Sequence, residues 1–127
     1  MAFDWNHFLA LAEELARRPD DTSERTAISR AYYSAFNLAF ARAETTVGPR
    51  PEGASYHQWC WNHYTRSGDR SCRQLGVDGD RMKRLRVKAD YKGADIPRLD
   101  DRVRGMLDDA RQFMVDLAAL DPIHPLP

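Results

Sequence analysis

The segment from Arg25 to Ala43 constrains the fold more than any other part of the chain. Its sequence, RTAISRAYYSAFNLAFARA, has helical periodicity and is apolar on nearly all sides. A helix of that kind lies in the middle of a bundle rather than on its surface. Arg30 interrupts it, and a guanidinium inside a packed bundle has to be paired with an acid or face a cleft. The position of Arg30 is therefore the first question about function.

Helical periodicity continues along the rest of the chain, and no segment has the alternating pattern of a strand. Capping residues, prolines and glycines divide the pattern into five helices, over about residues 4–18, 23–47, 56–67, 80–91 and 97–117. Residues 68–79 contain three glycines and are expected to be mostly loop. Pro97 is expected in the first turn of the last helix, where its missing N–H costs nothing.

These helices predict an all-α fold, most simply an up-and-down bundle of four to five helices. The 127 residues suffice for one ordinary core, so residues 1–121 are expected to form a single domain. The tail, residues 122–127, contains three prolines and is expected to be irregular.

The charges of the chain cancel, with 19 basic and 19 acidic side chains. Any attraction to nucleic acid must therefore come from a local patch. No apolar run approaches the roughly 20 residues of a membrane-spanning helix. Residues 1–16 are amphipathic and carry acids, unlike a secretory signal, and two cysteines make no disulfide framework. A cytoplasmic protein with no membrane partner is expected.

The fourth predicted helix is strongly basic. From Arg81 to Lys92 the chain carries one acid, Asp90, against six basic residues: Arg81, Lys83, Arg84, Arg86, Lys88 and Lys92. One interpretation is a surface that binds the phosphates of RNA or a nucleotide, with Arg84 and Lys88 among the binding residues. The other is a solvated face whose charges pair with acids on neighbouring helices.

The third predicted helix carries possible zinc ligands at His57, Cys60 and His63. Each step of three residues displaces the next side chain by roughly 60° around a helix, so the three do not converge well. Tryptophans flank Cys60, which favours a small buried apolar role for the thiol. We therefore expect neither a metal nor another cofactor.

Three segments together resemble a known family. Residues 28–36 read ISRAYYSAF, His57 opens the third helix, and residues 86–91 read RVKADY. The first is similar to the Ser-Arg-Ala-Tyr-Tyr-Ala-x-Phe signature on the second helix of the HEPN superfamily (higher eukaryotes and prokaryotes nucleotide-binding domain). The last is similar to the Arg-x-x-Ala-Asp-Tyr form that some bacterial members carry at the active-site position.

This resemblance implies a small helical bundle that usually forms a homodimer with a cleft between the protomers. Many members are metal-independent ribonucleases of toxin–antitoxin, CRISPR-associated and phage-defence systems, so a cognate antitoxin or defence-system protein is an expected partner. The family motif is an arginine followed, after four to six residues, by a histidine. Arg86 matches the arginine, but Tyr91 stands in the place of the histidine. A phenol with an ordinary pKa near 10 is a poor general base.

Three interpretations follow for the site. In a variant ribonuclease, Arg86 would hold the scissile phosphate while Tyr91 and His57 handle protons. In a catalytically silent module, Arg30, Arg86 and the basic helix would bind RNA, a nucleotide or a partner protein. In a structural interpretation, Arg30 and Asp90 would form a buried ion pair that links the second and fourth helices.

Overall fold

A computed structural model describes residues 3–127, and it contains five helices and no strand within that range. The helices are α1 Asn6–Leu15, α2 Asp21–Thr46, α3 Tyr56–Thr65, α4 Arg70–Tyr91 and α5 Leu99–Ala118. They pack into one bundle around a single hydrophobic core. The prediction of an all-α bundle is therefore confirmed.

Helix α2 is the centre of this bundle. It contacts each of the four other helices, as expected for a helix that is apolar nearly all round. Its small side chains allow this close packing, because Ala27, Ala31, Ala35 and Ala39 are completely buried. The helix begins where the Asp20 carboxylate accepts a hydrogen bond of 2.9 Å from the Ser23 backbone N–H.

Helix α4 is longer than the sequence predicts, and the expectation of a loop at residues 68–79 is wrong. The helix begins at Arg70, after the Asp69 carboxylate accepts a hydrogen bond of 2.8 Å from the Cys72 N–H. The glycines inside it serve close packing. A Cβ on Gly76 would stand 2.6 Å from the Thr65 backbone nitrogen, and one on Gly79 would stand 2.4 Å from the ring of Trp61. Helices α3 and α4 thus approach each other most closely at these two glycines, which have no Cβ.

The start of α5 also differs from the prediction. Pro97 lies before the helix and not in its first turn. Arg98 takes the left-handed conformation, with φ of 55°, and the helix begins at Leu99. Asp100 and Asp101 then lie in the first turn, where the positive end of the helix dipole favours carboxylates.

The chain after α5 is fixed along α2. The guanidinium of Arg42 donates hydrogen bonds to the carbonyl oxygens of His124, at 2.7 Å, of Leu120, at 3.1 Å, and of Asp121. Pro125 is fully buried. Within residues 3–127, none of the helices is long and apolar enough to cross a bilayer.

Candidate functional site

Among the residues that the structure describes, Arg86 is the charged residue that is buried. Only 4% of the residue is exposed, and its guanidinium carbon lies 5.3 Å from the ring centre of Tyr32, 5.2 Å from Tyr33 and 5.8 Å from Tyr91. Its Nη1 is 3.6 Å from Oδ2 of Asp90, which is too long for a hydrogen bond. Its Nε has no hydrogen-bond partner among the described residues. The guanidinium is therefore held by aromatic faces and retains unused donors.

The ion pair expected between Arg30 and Asp90 does not form. Asp90 lies one helical turn from Arg86 on α4 and takes that guanidinium as its partner. Ser29 lies between the two groups of the predicted pair. Its Oγ donates to Asp90 at 3.1 Å and accepts from Nη2 of Arg30 at 3.3 Å. Arg30 and Asp90 are thus linked through a hydroxyl and not by direct contact.

His57 belongs to the same cluster through Tyr32. The Trp61 indole N–H donates to the Tyr32 hydroxyl at 3.0 Å, and an indole nitrogen cannot accept. The same hydroxyl lies 2.6 Å from Nδ1 of His57, within hydrogen-bond distance. Tyr32 thus joins Trp61 and His57 in one hydrogen-bonded group.

Burial lowers the pKa of His57 to about 4, and the positive charges of Arg86 and Lys83 add to the shift. The imidazole is therefore neutral at pH 7. With a pKa near 4 the imidazole is a weak base at neutral pH, and its Nδ1 is already engaged by the Tyr32 hydroxyl. The proton-handling role that the ribonuclease interpretation gives to His57 is not favoured by this geometry.

Aromatic rings and guanidinium groups alternate across this side of the bundle. We call this set the aromatic–arginine row: Phe8, Arg30, Tyr33, Arg86 and Tyr91. The Arg30 guanidinium carbon lies 4.8 Å from the Phe8 ring centre and 5.3 Å from that of Tyr33. Together with the contacts of Arg86, these distances join α1, α2 and α4 in a single row. The three helices come together because α2 contacts both of the others.

The two ends of the row reach solvent. Tyr91 is 72% exposed at the end of α4. At the other end, Phe8 packs edge-on against Trp5 and against Phe3, which is 52% exposed. The helical period of residues 4–18 predicts a core-facing stripe that includes Trp5 and Phe8, and this extension to the surface was missed. The excess of aromatic residues at the very start of that helix was the available signal.

The basic residues of α4 do not form one surface. Arg84 and Lys88 lie roughly 200° around the helix from Arg86 and so face a different side. Arg84 pairs with Asp80, while Arg81 pairs with Asp78 and with Asp109 of α5. Much of the predicted basic patch is therefore neutralised by acids, mostly on its own helix.

Arg25 fixes the end of α4 that carries Tyr91, a role that sequence reasoning missed. Its guanidinium donates to the carbonyl oxygens of Ala89 at 3.2 Å, Lys92 at 2.7 Å and Ala94 at 2.8 Å. These carbonyls follow the last helical hydrogen bonds and would otherwise lack protein donors. The signal was a long basic side chain five residues before Arg30 on the apolar helix.

The possible zinc ligands are not brought together. Cys60 and Cys72 are free thiols buried in the core, and burial raises the pKa of both. Across residues 3–127 no group of three or more histidine, cysteine or acidic side chains converges as a metal site would require. The expectation that Cys60 is a small buried apolar residue is confirmed.

No protein-family model matches the chain, and no curated protein or solved structure matches it either. The resemblance to the HEPN superfamily therefore rests on the three sequence segments alone.

The lowered pKa of His57 gives stability a pH dependence. The folded protein binds a proton at His57 only near pH 4, whereas an unfolded histidine binds one near 6.5. This contribution is thus fully present above pH 6.5 and is lost as pH falls towards 4. Because the ring is only half buried, we expect a loss of about 1–2 kcal/mol, measured as the free energy of urea unfolding.

A His57→Asn variant is the matched control for this prediction. Asparagine offers Tyr32 an acceptor close to the position of Nδ1 but does not titrate in this range. The difference between the two proteins should therefore shrink as pH falls from 7 to 4. Parallel stability curves over this interval would show that His57 titrates as it does in water.

Proposed function

We propose that the chain is a HEPN-like protein of a bacterial toxin–antitoxin or phage-defence system, and that it binds single-stranded RNA along the aromatic–arginine row. One observation carries the proposal: aromatic rings alternate with guanidinium groups from Phe8 to Tyr91, and of these rings Phe8 and Tyr33 are half-buried and Tyr91 is exposed. Aromatic rings stack on unpaired bases, and arginines bind the phosphates between them. The family expectation of a cytoplasmic homodimer that meets a cognate antitoxin or defence-system protein belongs to the same proposal.

Arg86 supports this function by its incomplete bonding. Its Nε is unpaired and its nearest carboxylate oxygen is 3.6 Å away, so donors remain for a phosphate oxygen. The Asp90 side chain that covers it is 27% exposed and lies beside Tyr91 at the surface. A phosphate that displaced Asp90 would meet Arg86 first and then Arg30 beyond Ser29.

Binding without cleavage is the better-supported form of this function. Ribonuclease chemistry of the family kind needs a group that takes the proton of a ribose hydroxyl. His57 is a weak base at pH 7, because its pKa is lowered to about 4, and its Nδ1 is engaged by the Tyr32 hydroxyl. A catalytically inactive module that binds RNA, or senses a nucleotide, matches this arrangement.

Metal-independent ribonuclease activity is the second candidate, because His57 and Arg86 share one cluster. Both contact the ring of Tyr32, and the charge of Arg86 lowers the pKa of His57. If Tyr32 moved away, Nδ1 would become a free base beside the arginine. Cleavage of RNA in the presence of a chelator, lost in an Arg86→Lys variant that still binds, would favour this candidate.

The binding proposal is tested with a Tyr91→Ala variant. Loss of one stacked base costs about 1–3 kcal/mol, so we expect affinity for a labelled single-stranded oligouridine to fall about tenfold. Fluorescence anisotropy at several salt concentrations measures the affinity. Arg30→Ala should weaken binding as well and should reduce the salt dependence, because one phosphate contact is lost.

Tyr56→Ala is the matched control. Tyr56 is also an exposed tyrosine, 53% accessible, and its ring lies 3.8 Å from the guanidinium carbon of Arg50. It belongs to a separate aromatic–arginine pair at the start of α3. Equal losses in the two tyrosine variants, or no measurable binding of single-stranded RNA by the unmodified protein, would refute the proposal.

A further inference from the structure

A cavity lies on a different side of α4 from the aromatic–arginine row, where this helix meets the start of α5. It measures about 410 Å³, within the range of small-molecule sites. The cavity is lined by Lys88 of α4, by Lys92 directly after that helix and by Arg102 of α5, and the loop residues Ile96 and Pro97 supply apolar surface. A neighbouring cavity of about 310 Å³ shares Lys88 and Arg102 and continues the groove between the two helices.

The charges in this groove are unbalanced. The ion pairs among the described residues leave Lys88, Lys92 and Arg102 without a carboxylate partner, whereas Asp101 pairs with Arg98 and Arg104. Asp95 is the carboxylate that lines the larger cavity. In the larger cavity three cations therefore face one acid, whereas the other charged residues of the neighbouring cavity, Arg81, Arg84, Asp101 and Asp109, all take part in ion pairs.

The position of the cavity at the end of α4 would ordinarily repel an anion. The last carbonyl groups of a helix carry partial negative charge. Here the guanidinium of Arg25 donates to the carbonyls of Lys88, Ala89, Lys92 and Ala94 and supplies a positive charge at this end. This charge, which is shared with Asp21 through an ion pair of 3.3 Å, offsets part of the repulsion, and Lys88, Lys92 and Arg102 add three positive charges at the cavity.

We propose that this groove binds a ligand with a chain of two or three phosphoryl groups. Lys88 and Lys92 are one turn apart, ~6 Å along the helix axis, and Arg102 faces them from α5, so the three suit successive phosphoryl groups. Such a chain belongs either to an inorganic polyphosphate or to a nucleoside triphosphate. In the second case the base would lie against Ile96 and Pro97.

The groove is separate from the aromatic–arginine row. Lys88 and Lys92 lie roughly 200° or more around α4 from Arg86, and none of the lining residues belongs to the row. The inference therefore does not depend on the proposed function. A Tyr91→Ala variant should lose RNA affinity and keep its affinity for a phosphate chain, so failure of one proposal can be told from failure of the other.

Isothermal titration of the full chain with sodium tripolyphosphate, ATP and orthophosphate tests the proposal. Tripolyphosphate and ATP should bind, and orthophosphate should bind far more weakly because it meets fewer of the cations. A Lys88→Ala/Lys92→Ala double variant and an Arg102→Ala variant should each weaken tripolyphosphate binding by about tenfold or more. These side chains are exposed, so the variants should fold, which circular dichroism checks.

Lys83→Ala is the matched control, because it removes the same charge from the same helix on the side that faces His57. Its affinity should change less than about twofold, apart from weak long-range screening. ATP binding tighter than tripolyphosphate would identify a nucleotide, and equal affinities would identify the phosphate chain alone; either result supports the proposal. Equal losses in the control variant, equal binding of an oligoglutamate peptide, or no binding at all would overturn it.

Discussion

Replacing Gly76 by alanine should lower the free energy of unfolding by about 2–3 kcal/mol, because overpacking a rigid contact typically costs this much or more. The new Cβ would stand 2.6 Å from the backbone nitrogen of Thr65 and 2.9 Å from the Cβ of Tyr64. Backbone cannot rotate away, so α3 and α4 would have to separate. The higher helix propensity of alanine, about 1 kcal/mol, offsets only part of this cost. The melting temperature should fall by roughly 10 °C.

Gly105→Ala provides the control, since it makes the same substitution inside a helix with open space around it. Nothing lies within 4 Å of a Cβ built at Gly105 on α5. This variant should therefore gain about 1 kcal/mol from helix propensity alone. If Gly76→Ala also raised the melting temperature, the close approach of α3 and α4 would be wrong.

The two glycines of α4 show where sequence reasoning reaches its limit. Gly76 and Gly79 weaken a helical pattern when they are read along the chain, and residues 68–79 were therefore expected to be loop. In the folded chain both positions face α3, where any side chain would collide with Thr65 or Trp61. Tertiary packing overrides propensity here, and this information lies in another helix.

The burial of the central helix α2, in contrast, could be predicted from its own sequence. Its apolar residues surround the whole axis, so burial follows from the helical period alone, and α2 does contact every other helix. The ion-pair partner of Asp90 was harder to predict from the sequence. The spacing from Arg86 to Asp90 is that of neighbours on one helix, and this local pair competes successfully with the distant Arg30.

The core and the candidate site are joined through Trp61. Its ring packs near Phe113 in the core, and its indole N–H directs the Tyr32 hydroxyl towards His57. Gly79 makes room for this ring on α4. The position of Trp61, and with it the hydrogen-bonded group of Trp61, Tyr32 and His57, therefore depends on how closely α3 and α4 pack, which no single segment of the sequence encodes.

Replacing Arg86 by alanine should destabilise the protein by about 3 kcal/mol, as measured by chemical unfolding. The variant loses packing against the rings of Tyr32, Tyr33 and Tyr91, and each buried cation–π contact contributes on the order of 1 kcal/mol. Asp90 also loses its cation, but its side chain is 27% exposed and is partly hydrated afterwards. The cost therefore lies at the lower end of the range for breaking a buried ion pair.

Arg84→Ala is the control for this effect. Arg84 also pairs with an acid one turn away on α4, but its side chain is 77% exposed, so its removal should cost less than about 0.5 kcal/mol.

Double-mutant cycles then identify the partner of Asp90. Arg86→Ala and Asp90→Ala together should cost less than the sum of the single changes, whereas Arg30→Ala and Asp90→Ala should be nearer to additive because only Ser29 links them. If Asp90 were coupled more strongly to Arg30 than to Arg86, the ion pair that the sequence predicts would be correct. Arg86 would then have no support as a phosphate site.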